Sequence, residues 1–241
     1  MFKRKFRNCS PGQTRLAAQL RGATLTYLTA DCQSWVVYAA AWHPTSAVEF
    51  EDMWDLHPLE LGRNAYRGRS VVTPRYFRAY GRAYSFSGQT SPVLPLMHAP
   101  LAEATLRRVE ELLHAAAAAA ATVAAAAAVP ADGGAAAAVP ADGGAATQPD
   151  RDVNCKISPN GVLVNWYAAS HSIGLHRDDT RELLPYAPIW SVSWGHRRLF
   201  RLRPRDETAA GGGASASSGG FDSAGCRAVD FELGHGDLLV M

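Results

Sequence analysis

The sequence predicts an α+β fold in which helices of the first half pack on a barrel of short β-strands. Three observations predict it. Within 101–114, Leu106, Val109, Leu112 and Leu113 form an apolar stripe at helical spacing, while Glu103, Arg107, Arg108, Glu110 and Glu111 face water. The stretch VLVNWY alternates, so in an extended strand Leu163, Asn165 and Tyr167 share one face and Val162, Val164 and Trp166 the other. Residues 189–194 set bulky Trp190, Val192 and Trp194 against Ile189, Ser191 and Ser193, and small hydroxyls on one face leave room for a ligand inside a barrel.

With 241 residues, 47% of them hydrophobic, and a net charge of +2, the chain reads as one soluble domain with long insertions. So slight a positive balance means that any affinity for nucleic acid must come from local clusters. Cys9, Cys32, Cys155 and Cys226 show no C-x-x-C spacing and suggest neither a disulfide frame nor a zinc knuckle.

Residues 1–23 carry Lys3, Arg4, Lys5, Arg7, Arg15 and Arg21 with no acid, and read as a basic N-terminal tail ahead of a domain over 24–241. An organelle presequence or an arm contacting nucleic acid are the alternatives. LTYL, from Leu25, reads as a strand. Thr29 and Asp31 then offer N-caps for a helix over 34–42, with Trp35, Val36, Ala39 and Ala40 on one face and His43-Pro44 as its stop. Residues 50–69 mix Trp54, His57 and Tyr66 with Arg63, Arg67 and Arg69. Two readings stay open for them: stacking on bases and holding phosphates, or core packing with a solvated rim.

In 73–88 the aromatics Tyr76, Phe77, Tyr80, Tyr84 and Phe86 fit a β-hairpin turning at Ser87-Gly88. After the amphipathic helix come polyalanine and a tandem AAAAVPADGG, in which Pro130 and Pro140 followed by Asp-Gly-Gly break helical continuity. The region 115–150 therefore reads as a low-complexity insertion, and 209–225 as a second, Gly/Ser/Ala-rich one. The polyalanine is too short and too weakly apolar to span a bilayer. The last segments read as a strand over 229–233, a turn at 234–236 and a strand over 238–241. Arg197, Arg198, Arg201, Arg203 and Arg205 either line a rim open to phosphates or form a solvated strand face.

His176 and Asp178, one residue apart, leave an extended chain from the same face and make two thirds of a 2-His-1-carboxylate site for Fe(II). H-x-D alone also occurs in ordinary loops. Around it, however, stand Asn165-x-Tyr167, Ile173-Gly174, Asp179, Glu182-Leu183, Pro188-Ile189, Ser191-x-Ser193-x-Gly195, Arg198-x-Phe200 and Gly236-Asp237. Together these resemble the AlkB family of Fe(II)/2-oxoglutarate dioxygenases, which remove alkyl groups from nucleic acid bases. TPRYFRAYGRAYSFSG, from Thr73, is similar to the segment that shapes the base pocket in its DNA-repair branch.

The resemblance implies a double-stranded β-helix, or jelly-roll barrel, with N-terminal helices packed on the sheet. It implies His176 and Asp178 on Fe(II), Asn165 and Tyr167 hydrogen-bonding 2-oxoglutarate, and Tyr84, Ser85, Phe86 and Asp179 meeting the substrate base. O₂ would be consumed and an N-linked methyl group oxidised and released as formaldehyde. The implied partner is DNA or RNA with alkylated bases, met by a monomer and without a membrane. In the family a distal histidine ligand and an arginine gripping 2-oxoglutarate follow the strand corresponding to 238–241, so the expectation is a chain truncated ahead of them, with C-terminal strands missing. His235 is expected to be structural. Two other functions stay open: a non-catalytic nucleic-acid-binding fragment, and a dioxygenase acting on a protein or small molecule. The nucleus is the favoured location, with an organelle as the alternative.

Overall fold

The computed structural model describes residues 11–66, 68–86, 89–127, 159–178, 183–184, 187–203 and 225–241. Helix α1 (Pro11–Gln19) leads into β1 (Thr24–Tyr27) and β2 (Trp35–Ala39). Helix α2 (Ala47–Asp55) precedes β3 (Arg63–Tyr66), β4 (Arg69–Val72), β5 (Tyr76–Tyr80), β6 (Ser85–Phe86), β7 (Gln89–Thr90) and β8 (Val93–Leu94). After α3 (Pro100–Ala127) come β9 (Val162–Trp166), β10 (Trp190–Ser193), β11 (Arg198–Leu202), β12 (Val229–Leu233) and β13 (Asp237–Val240).

The largest sheet runs β1-β2-β13-β10, antiparallel throughout. One of its faces, with Val37, Ala39, Leu238 and Val240, closes on Leu16 and Leu20 of the α1 region, and Leu112 of α3 packs alongside. Val36 and Leu239 on the other face meet Leu233, Phe200 and Phe231 of the β11–β12 pair. Burial on both faces explains why WVVYA and DLLV read as nearly unbroken apolar runs. A second sheet, β8-β5-β9, packs Tyr80, Val164 and Trp166 against Met53 of α2 and Leu101 and Ala102 of α3. There the Trp166 indole N–H donates to the Met53 carbonyl at 2.7 Å. The architecture is therefore α+β, with helices on antiparallel sheets and one parallel pair, β5 with β8, among the described strands.

The structure departs from the sequence reading in four places. The helix expected over 34–42 is strand β2: adjacent Val36 and Val37 and two aromatics suit a pleated, doubly buried surface better than a helix. Thr29 and Asp31 cap a turn instead. The Thr29 hydroxyl donates to Asp31, whose carboxylate accepts the Gln33 N–H, and the Ser34 N–H reaches Thr29. Second, Pro11–Gln19, within the stretch read as a tail, is a helix with Leu16 and Leu20 buried. Third, α3 does not stop at His114 but continues to Ala127, because alanine holds a helix by propensity even without a face to bury. Finally, Cys32 is buried and disulfide-bonded, its partner lying outside the described residues. Spacing alone did not reveal that bond. The second insertion, apart from Gly225, also lies outside the described residues.

The turn between β12 and β13 is held by side chains. Asp237 accepts from the Ala41 and Gly234 N–H groups at 2.8 Å each and from the Tyr38 hydroxyl at 2.9 Å. Gly236 has φ +82°, and a Cβ there would lie 2.8 Å from the His43 carbonyl, so only glycine fits. Burial pushes the Asp237 pKa up, but the two backbone donors and the Tyr38 hydroxyl outweigh it and hold the carboxyl below its ordinary value. Its folded pKa thus lies below its unfolded one. The stabilisation is fully present above the unfolded pKa, about 3.9, and is lost as pH falls through the folded value. We expect stability to decline on acidification below about pH 4, with Asp237→Asn flattening that decline in pH-dependent urea melts. An unchanged acid limb in Asp237→Asn would refute the assignment.

Candidate functional site

Strand β9 places two side chains on the face turned away from the core. Val164 and Trp166 are buried against the helices, which leaves Leu163 and Asn165 on the opposite face, beside an open cavity of about 2640 Å³. The cavity lining includes Asn165, Tyr167, His176, Asp178, Arg75 and Tyr84. The alternation read from VLVNWY holds.

Past β9 the chain turns at Ala168–His171 and runs without regular structure to the H-x-D pair. His176 Nε2 and Asp178 Oδ1 face each other 3.4 Å apart, both about half exposed. The other ring nitrogen, Nδ1, meets the Gly174 carbonyl at 2.8 Å, which fixes the ring and leaves Nε2 to face the carboxylate. The hydrogen bond to Asp178 raises the His176 pKa. Reciprocally, His176 holds Asp178 below the ordinary carboxylate value. Among the described residues no group of three or more His, Cys, Asp or Glu side chains is placed to hold a metal ion, so this pair stands as two donors.

Next to the pair sits a buried arginine. Arg75 is 9% exposed, its Nη1 lies 3.5 Å from the Tyr167 hydroxyl, and its Nε has no hydrogen-bond partner among the described residues. Its charge opposes protonation of His176 and favours the Asp178 carboxylate. The Asn165 Oδ1 is likewise buried without a hydrogen bond among the described residues. Orphaned buried polar atoms are costly unless a ligand completes them. An imidazole, a carboxylate, an amide, a phenol and a guanidinium around one space suit a divalent cation and a small dicarboxylate. The residues present therefore fit Fe(II) with 2-oxoglutarate.

Of the residues expected to meet a substrate base, Tyr84 lines the cavity. Ser85 is half-buried on β6 and is not among the described lining residues. The hairpin expected over 73–88 is only the short β6–β7 pair, in which Phe86 faces Gln89, because Tyr76, Phe77 and Tyr80 lie on β5 and pair with β8 and β9 instead; the Phe86 side chain, Ser87, Gly88 and Asp179 lie outside what is described. Residues 50–69 combine side chains packed on the core with an exposed rim. Trp54 packs on the core, and the His57 ring lies 4.7 Å from Tyr76 with Nδ1 at 2.6 Å from the Trp54 carbonyl. Beyond them the β3–β4 hairpin exposes Arg63, Arg69, Val71 and Val72.

His235 is structural, as expected. Its Nδ1 accepts the Gly195 N–H at 3.1 Å and its Nε2 lies 3.0–3.2 Å from Thr45 atoms, so both nitrogens are engaged. Three arginines of the cluster have partners within the fold. Arg201 and Arg203 pair with Asp230, and Arg198 donates to backbone carbonyls. Sequence reasoning missed the burial of Arg75. Its position directly ahead of an aromatic strand was the signal, since a charged side chain there must go inward with a ligand or outward to solvent.

The family model described as the 2OG-Fe(II) oxygenase superfamily matches residues 57–241. The chain is also similar to the mouse protein named DNA oxidative demethylase ALKBH2, 40% identical over 95 residues, which are 38% of this chain and 36% of that one. Its human counterpart is 42% identical over 83 residues, 34% of this chain and 28% of the relative. The bovine protein of the same name is 41% identical over 83 residues, 34% and 26%. The chain thus spans about a third or less of the length of these curated relatives. Their names agree with the AlkB resemblance of the Asn165–Arg198 motifs. With a family match over most of its length and a cavity whose donors suit iron and a dicarboxylate, the chain belongs to the 2OG-Fe(II) oxygenase superfamily.

Proposed function

We propose that this protein removes alkyl groups oxidatively from the bases of nucleic acid, DNA above all, with Fe(II), 2-oxoglutarate and O₂. The observation that carries the reading is the convergence of His176 Nε2 and Asp178 Oδ1, 3.4 Å apart, on the cavity that also holds Asn165 and Tyr167. Iron with 2-oxoglutarate, bound there, supplies the oxidising power for hydroxylating a carbon attached to nitrogen.

The chain's own residues do the rest. His176, oriented through Gly174, and the anionic Asp178 hold the metal. Asn165 and Tyr167, on the same side of the strand and its extension, hydrogen-bond the dicarboxylate, and the Arg75 guanidinium adds positive charge beside Tyr167. Tyr84 offers a flat wall for a base taken out of the stack, and Ser85, Phe86 and Asp179 belong to the same substrate side. The exposed Arg63, Arg69, Val71 and Val72 of the β3–β4 hairpin meet the nucleic acid backbone and its groove. The strands around the cavity form the double-stranded β-helix of the superfamily, and the protein acts as a monomer.

The test is formaldehyde and succinate release from the full chain with Fe(II), 2-oxoglutarate and N-methylated oligonucleotides. We expect release that depends on the methyl group, faster with DNA than with RNA of the same sequence. Equal succinate release with unmethylated oligonucleotide, or release driven only by a protein substrate, would overturn the reading.

A further inference from the structure

Arg198 opens β11 and is solvent-exposed, yet among the described residues it has no carboxylate partner. Its guanidinium instead spans a turn. Nη1 donates to the His171 carbonyl at 2.7 Å, and Nη2 donates to the Ala168 carbonyl at 2.6 Å and reaches the Tyr167 carbonyl at 3.4 Å. Its Cζ also lies 5.8 Å from the centre of the Tyr167 ring, within cation–π range.

What the guanidinium grips is the hinge of the site. The turn is closed by the His171 N–H to the Ala168 carbonyl at 2.9 Å and by the Ala168 N–H to His171 Nδ1 at 3.2 Å. On its far side the His171 ring lies 5.4 Å from Tyr76. Upstream is the strand that carries Asn165 and leads into Tyr167, and a few residues downstream is the loop of Gly174, His176 and Asp178. None of residues 167–171 is fully buried, so hydrophobic packing does little to fix the turn.

We propose that Arg198 is a positioning residue that sets Tyr167, and through it the 2-oxoglutarate side of the cavity, in register with the metal-binding loop. The inference rests on the proposed function in taking Tyr167 as a 2-oxoglutarate contact. Lysine cannot replace the guanidinium, because carbonyls reached from two separate nitrogens need a rigid fork rather than a single ammonium. Groups that orient ligand-bearing residues typically change affinity by about 10- to 100-fold when removed.

The experiment measures 2-oxoglutarate binding to the full chain loaded with Mn(II), followed by tryptophan fluorescence without turnover, for wild type, Arg198→Lys and Arg198→Ala. Melting curves are recorded alongside. We expect both variants to weaken binding by about 10-fold or more, with melting temperatures close to wild type, and millimolar guanidinium to restore part of the affinity of Arg198→Ala. Variants that bind as tightly as wild type overturn the proposal. So does an affinity loss that only tracks a lowered melting temperature and that guanidinium leaves untouched, since that marks a merely structural contact. If Arg198→Ala fails to fold, Arg198→Lys decides by the same two criteria. Failure of the wild type itself to bind 2-oxoglutarate would instead sink the proposed function, and this inference with it.

Discussion

Replacing His176 or Asp178 by alanine is expected to abolish 2-oxoglutarate turnover while leaving the melting temperature nearly unchanged. The loss should be at least about 100-fold, since even partners one layer further from a metal cost roughly 10- to 100-fold. Stability is spared because both side chains are about half exposed and bond to each other and to Gly174, with no stake in any core cluster. Succinate release and metal binding measured on the same samples check it. A His176→Ala protein that turns over at the wild-type rate would show that the two donors are not the metal site, whatever the family.

The largest expected effect on folding lies at Trp166. It is 4% exposed, packs with Met53, Tyr80, Leu101 and Val164, and donates its indole N–H to the Met53 carbonyl at 2.7 Å. Trp166→Ala removes that volume from between β9, α2 and α3 and should cost about 3–5 kcal/mol. In a domain of this size that is a fall of roughly 10 °C in melting temperature. Trp166→Phe keeps most of the volume and loses the hydrogen bond, for about 1 kcal/mol. Thermal denaturation of the pair separates packing from bonding, and equal losses in both would mean that the indole N–H, not the ring, matters there.

How far the site was legible depended on periodicity. The faces of β9 followed from the alternation in VLVNWY, and the shared direction of His176 and Asp178 from their spacing, because both are local properties of an extended chain. The four-stranded sheet was harder to see. Trp35–Ala39 is buried on both faces, so its apolar run fits a helical stripe as well as a central strand, and only pairing with Asp237–Val240 decides between them. The same holds for Arg75 and Arg198. One is buried beside Tyr167 and the other clasps carbonyls of Tyr167, Ala168 and His171, and neither contact has any sequence period to announce it. For Arg197–Arg205 a phosphate rim and a solvated strand face both stayed open, because a sequence cannot show that Asp230 lies across the β11–β12 ladder from Arg201.

That pairing has a consequence for how the protein is made. Tyr38 and its acceptor Asp237 are 199 positions apart, so while the ribosome works through the intervening chain, β2 stands with one edge unpaired and its apolar faces uncovered. Contacts of such long range form slowly, and a waiting edge is an invitation to other nascent chains. Yield in a heterologous host should therefore respond to slower synthesis at low temperature and to chaperone supply more than to changes on the surface of the finished fold.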